Sequence, residues 1–270
     1  MPHVTIGMLK VNKNTFGPDS SNRITEFGMT VMQADAVLRA QQAGRPGVRM
    51  LLAPEYFWSG YGEIGQRYRQ QGALAMTRGA KHGLYSGLKK ISSKAGSLVL
   101  VAGSIFYQKS DGTRTVAYNL CPVLRGGKFL LKAYKDFDNG TAGKISADLV
   151  YDTKSSDPFF SVEGVNFGLE VCGDHNSVGG KGGKLKRWNA SANKAIDVHI
   201  LVSDSMTVLA GSVAARPGGY VAQCDIGGAD MGIAVYPAGG PYDRNSALPA
   251  SGISSAQVNG GSIVYYSLAV

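Results

Sequence analysis

Apolar residues fall into short runs and spaced series along the chain, and the spacing fixes the expected elements. Residues 4–11 run or alternate apolar and predict a strand. Ile24, Phe27, Val31, Ala34 and Leu38 recur at three- and four-residue steps, which predicts a helix over 23–43 with these side chains on one face. Ser21 or Asn22 stands where its cap is expected. Arg45-Pro46-Gly47 reads as a turn, and Val48 to Ala53 as a short apolar strand ending at Pro54-Glu55. Aromatic and glycine-rich loop follows over 56–79, then a basic helix over 80–95 with Leu84, Leu88 and Ile91 facing in. Strands are expected at Ser97–Tyr107, Thr115–Leu124 and Lys128–Lys135, the first two joined as a hairpin around Asp111-Gly112. Residues 136–158 read mostly as loop, 165–171 as a strand, 184–195 as a helix and 198–203 as a strand. Further strands are expected near 219–225, 231–236 and 261–268. This order suits a layered α/β fold, two sheets covered by helices. No repeat or linker divides the chain, so 1–270 reads as one domain.

Composition narrows the class. A chain of 270 residues has ample length for a core. No apolar run is long enough to span a membrane. The start, Met-Pro-His-Val-Thr-Ile, has a strand pattern and lacks the features of a signal peptide, so a cytoplasmic protein is expected. Three scattered cysteines make no disulfide framework, and no paired Cys or His spacing marks a metal. The net charge is +9. Lys81, Lys89, Lys90 and Lys94 lie on one predicted helix without interleaved aromatic residues, so they read as a solvated face and no nucleic-acid partner is expected. Lys181, Lys184, Lys186 and Arg187 begin nine residues after Cys172, placed to help select an anionic substrate. Glycine is about twice its usual share and heaviest from residue 211 onward, which predicts a loop-rich C-terminal third.

The strongest chemical signal is the stretch 165–176, Val-Asn-Phe-Gly-Leu-Glu-Val-Cys-Gly-Asp-His-Asn. An apolar strand runs straight into Cys172, and small and polar residues turn the chain at once. A thiol there can project from the sheet, and Gly173 lets the next backbone N–H approach a substrate as an oxyanion donor. A single cysteine is more often a small buried hydrophobe, but two other strand ends change the weighing. Glu55 follows strand 48–53 and Pro54, whose missing N–H ends the ladder, and Lys135 ends strand 128–135. Strand ends in α/β sheets commonly meet in one crevice. A thiol of pKa about 8.5 is little ionised at neutral pH. A carboxylate can take its proton, and an ammonium can stabilise the thiolate and then an oxyanion. Cys121 and Cys224 lie within strands and read as inert.

These residues stand in motifs that resemble those of the nitrilase, or carbon–nitrogen hydrolase, superfamily, and the resemblance covers nearly the whole chain. Leu-Leu-Ala-Pro-Glu55-Tyr-Phe-Trp-Ser-Gly60-Tyr61 resembles its glutamate motif. Gly103-Ser104 with Tyr118-Asn119 resembles its central hairpin, and Gly127-Lys-Phe-Leu-Leu-Lys-Ala-Tyr-Lys135 its lysine motif. Phe167-Gly168-Leu-Glu-Val-Cys172-Gly-Asp174 is similar to its nucleophile motif, and Gly228-Ala-Asp-Met-Gly232 through Pro237 and Gly239 to its late strand and turn. The resemblance implies a four-layer α-β-β-α sandwich that pairs with a second copy. It implies a thioester mechanism without metal or cofactor on a small amide, N-carbamoyl compound or nitrile. Glu55 is then the general base, Cys172 the nucleophile, and Lys135 with the Gly173 N–H the oxyanion holder.

The chain departs from the family pattern in three places. Residues 136–149 hold Asp136, Asp138 and Asp148 but no second glutamate, which leaves acyl transfer to an amine open beside hydrolysis. Ala214-Ala215-Arg216-Pro217-Gly218 is shorter than the family's usual helix there. Gly173-Asp174 stands where nitrilases commonly carry Trp-Glu, which favours amide over nitrile. Asp174 is expected to fix its turn by accepting backbone N–H groups. Tyr56, Tyr61, Asp138 and His175 are further candidates for lining the substrate pocket, and Trp58 for its rim. A non-catalytic binding or signalling protein on the same fold is the alternative of another class.

Overall fold

The computed structural model describes residues 2–11, 20–42, 44–58, 76–110, 112–138, 149–154, 156–176, 179–226, 233–242, 244–248 and 255–270. Two sheets pack face to face. The larger is built from β1 (His3–Val11), β2 (Gly47–Ala53), β3 (Met76–Thr77), β4 (Val99–Ala102), β5 (Ile105–Ser110), β6 (Thr115–Arg125), β7 (Lys128–Tyr134), β8 (Leu149–Tyr151), β14 (Ala256–Val258) and β15 (Gly261–Ala269). Its main order is β14-β15-β1-β2-β4-β6-β5-β3, with β7 and β8 pairing β6. The smaller holds β9 (Phe159–Val162), β10 (Val165–Val171), β11 (Val198–Ser203), β12 (Tyr220–Asp225) and β13 (Ala234–Pro237), in the order β13-β12-β11-β10-β9. Strands β1, β2 and β4 run parallel, as do β10, β11 and β12, so each sheet presents a set of strand C-termini at one end.

The apolar alternation of the strands explains the layers. Ile6, Met50 and Val101 from one sheet meet Phe167, Ile200 and Ala222 from the other in a shared core. Leu9, Leu51 and Leu100 point the other way, under α1 (Ser20–Gln42) and α2 (Arg78–Lys94). Phe27, Val31, Ala34 and Leu38 are fully buried on α1 as their spacing predicts, each large side chain contributing roughly 1.5–3 kcal/mol. Ser21 and Asn22 lie inside this helix rather than capping it. On the outer face of the smaller sheet the fourth layer is thin: α3 (Lys184–Ala192) covers Phe159 through Leu185, and the segment 204–219 covers Leu201 and Val221 through Val208.

The main differences from the expected elements are local. The strand expected over 97–107 is broken at Gly103-Ser104 into β4 and β5. Strands β3, β8, β9 and β14 are additional, each only two to four residues long. Tyr61, Asp148 and the motif residues Gly228 to Gly232 lie outside the described residues.

Candidate active site

Glu55 lies in the turn that leaves β2, and the break between β4 and β5 holds this turn. Ser104 donates its N–H to Pro54 O at 3.3 Å, and its Oγ accepts the Tyr56 N–H at 2.8 Å. Gly103 has φ 75°, and a Cβ there would lie 2.6 Å from the Phe57 Cβ and 2.7 Å from Pro54 O, so only glycine fits. Trp58 anchors the far side by donating Nε1–H to Ala102 O at 2.6 Å.

Glu55 and Lys135 form a buried ion pair. Lys135 Nζ donates to Glu55 Oε1 at 2.8 Å, with the side chains 2% and 0% exposed. Asn119 Nδ2, from the middle of β6, donates to the same oxygen at 3.0 Å. Burial pushes the Glu55 carboxyl up from its ordinary range, with the Lys135 ammonium opposing it. Burial alone would lower the Lys135 pKa, but the facing charges of Glu55 and Cys172 more than reverse this and keep it an ammonium. Glu55 Oε2 and Asn119 Oδ1 are buried without a standard hydrogen bond among the described residues. The Cys172 side chain stands near enough to bear on the Glu55 carboxyl. Open buried acceptors mark a place that water or a polar substrate completes.

Cys172 follows β10 and begins a single 3₁₀ turn, Cys172–His175. Its φ is 43°, a left-handed conformation that costs a non-glycine residue about 1–3 kcal/mol. Such strain persists only where the surroundings enforce it, and it is common at nucleophiles. The Sγ–H donates to Asp204 O, just past β11, at 3.6 Å. Burial, then the Glu55 charge, pushes the thiol pKa up, and the Lys135 ammonium pulls it down.

Asp174 joins this turn to the lysine strand. Its Oδ1 accepts the N–H of Asp136 at 2.8 Å and of Phe137 at 2.9 Å. Burial raises its pKa to about 7 against the pull of Lys184. Lys184 is itself buried; it donates to Tyr134 O and to Asp136 Oδ1, the latter at 2.8 Å, and stands 3.7 Å from Asp174 Oδ2. Lys186 and Arg187 donate to the carbonyls of Gly211 and Gly182. These three members of the second basic group therefore support the framework.

Next to Cys172 in the chain lies a buried carboxylate–imidazole cluster. Glu170 Oε2 meets His175 Nδ1 at 2.6 Å and His199 Nε2 at 3.0 Å. The other ring nitrogens accept backbone N–H groups, from Leu209 at 2.9 Å and from Ala214 at 3.3 Å. Each imidazole thus donates one ring N–H to Glu170 and accepts a backbone N–H at its other nitrogen. Leu185 N–H takes the remaining oxygen, Oε1. The donor set has the composition of a metal site, but every nitrogen lone pair is engaged by backbone. Glu170 is held down to about 2 because the two imidazoles outweigh the cost of burial. Burial lowers the His199 pKa.

Comparison with solved structures places this architecture. Saccharomyces cerevisiae Nit3, a member of branch 10 of the nitrilase superfamily, matches with TM-score 0.59 at 15% identity, over 99% of this chain and 90% of that chain. An amidase from Nesterenkonia sp. matches with TM-score 0.59 at 16% identity and the same coverage. The amidase from Nesterenkonia sp. AN1, in a structure with the acetamide moiety of fluoroacetamide added covalently at its active-site cysteine, matches with TM-score 0.61 at 15% identity, again over 99% and 90%. The fold is that of the nitrilase superfamily. No family model matches the chain, and no curated protein matches it in sequence.

Within the nitrilase fold the predicted residues fall into three groups. Glu55, Lys135 and Cys172 come together. Tyr56, at φ 54°, stands beside them with the Lys135 Nζ 5.7 Å from its ring centre, and half-buried Asp138 is near enough to Tyr151 to help raise its phenol pKa. Tyr151 in turn donates its hydroxyl to Lys135 O at 2.7 Å. Asp174 bonds backbone N–H groups as expected, but those of the lysine loop rather than its own turn. His175 is fully buried with both ring nitrogens taken. Asn119 and Glu170 were not among the expected site residues, although each is a polar residue inside an otherwise buried apolar strand, which is the signal that finds them.

Proposed function

We propose that this chain is a cysteine-dependent hydrolase that cleaves the C–N bond of a small, non-peptide amide or N-carbamoyl compound. The observation that carries this reading is the dry Glu55–Lys135 pair standing beside the Cys172 thiol at the ends of three strands. A carboxylate whose pKa is raised by burial is better matched to a thiol proton than an ordinary one. Glu55 takes the Sγ proton, and the thiolate attacks the carbonyl carbon. The C=O electron pair moves onto oxygen, where the Lys135 ammonium and the Gly173 N–H receive it. Collapse breaks the C–N bond, Glu55 returns its proton to the leaving nitrogen, and a thioester remains. Glu55 then takes a proton from water, the hydroxide attacks the thioester, and the acid departs as Sγ regains its proton.

Tyr56 and Asp138 are the residues we assign to the substrate side. Asp136, the other described acid after Lys135, is bound to Lys184, so Asp138 is the better stand-in for the missing glutamate. A small amide as substrate class is supported by the Nesterenkonia sp. AN1 amidase, whose C145-substituted form has been solved in complex with butyramide. The test is ammonia release from a panel of amides, carbamoyl compounds and nitriles, with Cys172→Ala beside the wild type and intact-mass spectrometry in parallel. Release that depends on Cys172 establishes the hydrolase. A stable acyl adduct discharged only by added amine assigns acyl transfer instead. Release retained by Cys172→Ala overturns the reading.

A further inference from the structure

A second site lies on the opposite face of the larger sheet. Tyr118 and Tyr134 belong to the core under the helices, while their neighbours Asn119 and Lys135 turn toward Glu55. On the helix side a cavity of about 570 Å³ is lined by Arg78, Lys81, Lys89, Lys109, Lys132 and Lys154 and, among the described residues, by no carboxylate. None of these six cations makes an ion pair among the described residues. Lys81 was expected on a solvated face, yet it is 92% buried, its Nζ 4.1 Å from the Tyr107 ring centre and 5.3 Å from that of Tyr85. Burial lowers its pKa first, and Lys132, Arg78, Lys154 and Lys109 lower it further. The aromatic rings that helix α2 lacks are supplied by neighbouring strands.

Three features set this cavity apart from an ordinary basic surface. Like charges are gathered around one concavity, with Lys81 buried, Lys109 and Lys132 half-buried and Arg78, Lys89 and Lys154 exposed. Arg78 and Lys81 occupy the first turn of α2 with no acid there, although a helix N-terminus disfavours each cation by about 0.3–1 kcal/mol. The lining rings already carry ammonium groups: Lys132 stands over Tyr85 and Phe129, and Lys154 over Tyr134. They offer a nucleobase no free stacking platform. The volume suits a small molecule.

We propose that this cavity binds a compact, multiply charged anion of the linked-phosphoryl class. The anion supplies the counter-charge that the chain withholds and gains the positive end of α2. The proposal stands apart from the hydrolase reading, since no triad residue lines the cavity.

The test is calorimetric titration with inorganic triphosphate as the probe, orthophosphate and a single-stranded oligonucleotide beside it. Lys89→Gln/Lys132→Gln removes two cavity cations. Lys90→Gln/Lys94→Gln removes the same charge from exposed positions of the same helix outside the lining. Losing two charge-assisted contacts is expected to weaken triphosphate binding at least about tenfold, while the control pair stays within about threefold of wild type. Lys109→Gln/Lys154→Gln gives the same reading should the first pair lower the unfolding midpoint. Absence of triphosphate binding to the wild type, or equal losses in cavity and control pairs, overturns the proposal. Tighter, cavity-dependent binding of the oligonucleotide replaces it with a nucleic-acid site.

Discussion

Asp174 stands two residues past the nucleophile, yet it accepts the N–H of Asp136, the residue next to Lys135, at 2.8 Å. One carboxylate thereby sets the distance between the thiol and the ammonium. Asp174→Ala is expected to leave the part-buried N–H groups of Asp136 and Phe137 without their acceptor and to cost about 1 kcal/mol, read as a lower urea midpoint. It should also lower kcat more than it changes KM, because Lys135 loses its placement. Asp174→Asn keeps an acceptor oxygen and should restore most of both. An Asp174→Ala enzyme with wild-type kcat removes the residue from the machinery.

Glu55→Gln is expected to move turnover and thiol reactivity in opposite directions. Loss of the base should lower kcat/KM by roughly 10²–10⁴-fold. The Glu55 charge also raises the thiol pKa, while Lys135 lowers it. Without that charge the thiolate forms at lower pH, so alkylation of Cys172 by iodoacetamide should shift to lower pH than in the wild type. Cys121 and Cys224 are fully buried with raised pKa values and should stay unmodified in the folded protein. An alkylation profile shifted upward by Glu55→Gln would contradict the assignment of Glu55 as the thiol's base.

Lys135→Met should be more destabilising than its loss of charge alone implies. It strands a buried carboxylate, and breaking such a pair from one side costs about 3–5 kcal/mol. Glu55→Gln/Lys135→Met, which removes both charges, should recover much of that loss. Equilibrium unfolding of the two singles and the double completes the cycle. Additive costs would mean that Lys135 and Glu55 do not interact in solution.

The convergence of Glu55, Lys135 and Cys172 was legible in the sequence because each stands where an apolar strand ends, and strand ends are where periodicity stops. The layered fold was legible for the same reason: Phe27 through Leu38 and the runs at 48–53, 165–171 and 198–203 bury as their spacing implies. What the sequence hid depends on contacts between distant segments. Asp174 could be read as a turn former, but not as a partner of residues 136 and 137. His175 looked like a pocket residue because the spacing cannot show that Glu170, His199 and Leu209 surround it. Lys81 looked solvated because Tyr107, which receives it, comes from another strand, whereas Lys89, Lys90 and Lys94 are exposed as expected. Strands β8, β9 and β14 are too short to carry a period.

The Glu170–His175–His199 cluster predicts how stability responds to acid. Below pH 6.5 the unfolded chain protonates His199, while the native imidazole, its pKa lowered by burial, stays neutral. Stability therefore begins to fall there as pH drops. Glu170 has a folded pKa of about 2 against 4.5 for the free group. Its contribution is complete above pH 4.5 and is lost as pH falls toward 2, an effect on the order of 3 kcal/mol. Urea midpoints measured from pH 7 down to 3 should decline slowly at first and faster below 4.5. Glu170→Gln should be less stable than wild type at pH 7, since an amide offers only one acceptor oxygen to two imidazole donors and the Leu185 N–H. The gap should then narrow as pH falls, because acid removes from the wild type what the substitution has already removed. Gly183→Ala tests the same cluster by steric means, since a Cβ there would lie 2.7 Å from Glu170 Oε1. A chelator should leave the wild-type midpoint unchanged at pH 7, because the ring lone pairs accept backbone N–H groups. A midpoint that drops with chelator would mean that the imidazoles hold a metal instead, and the acid limb would then report metal release.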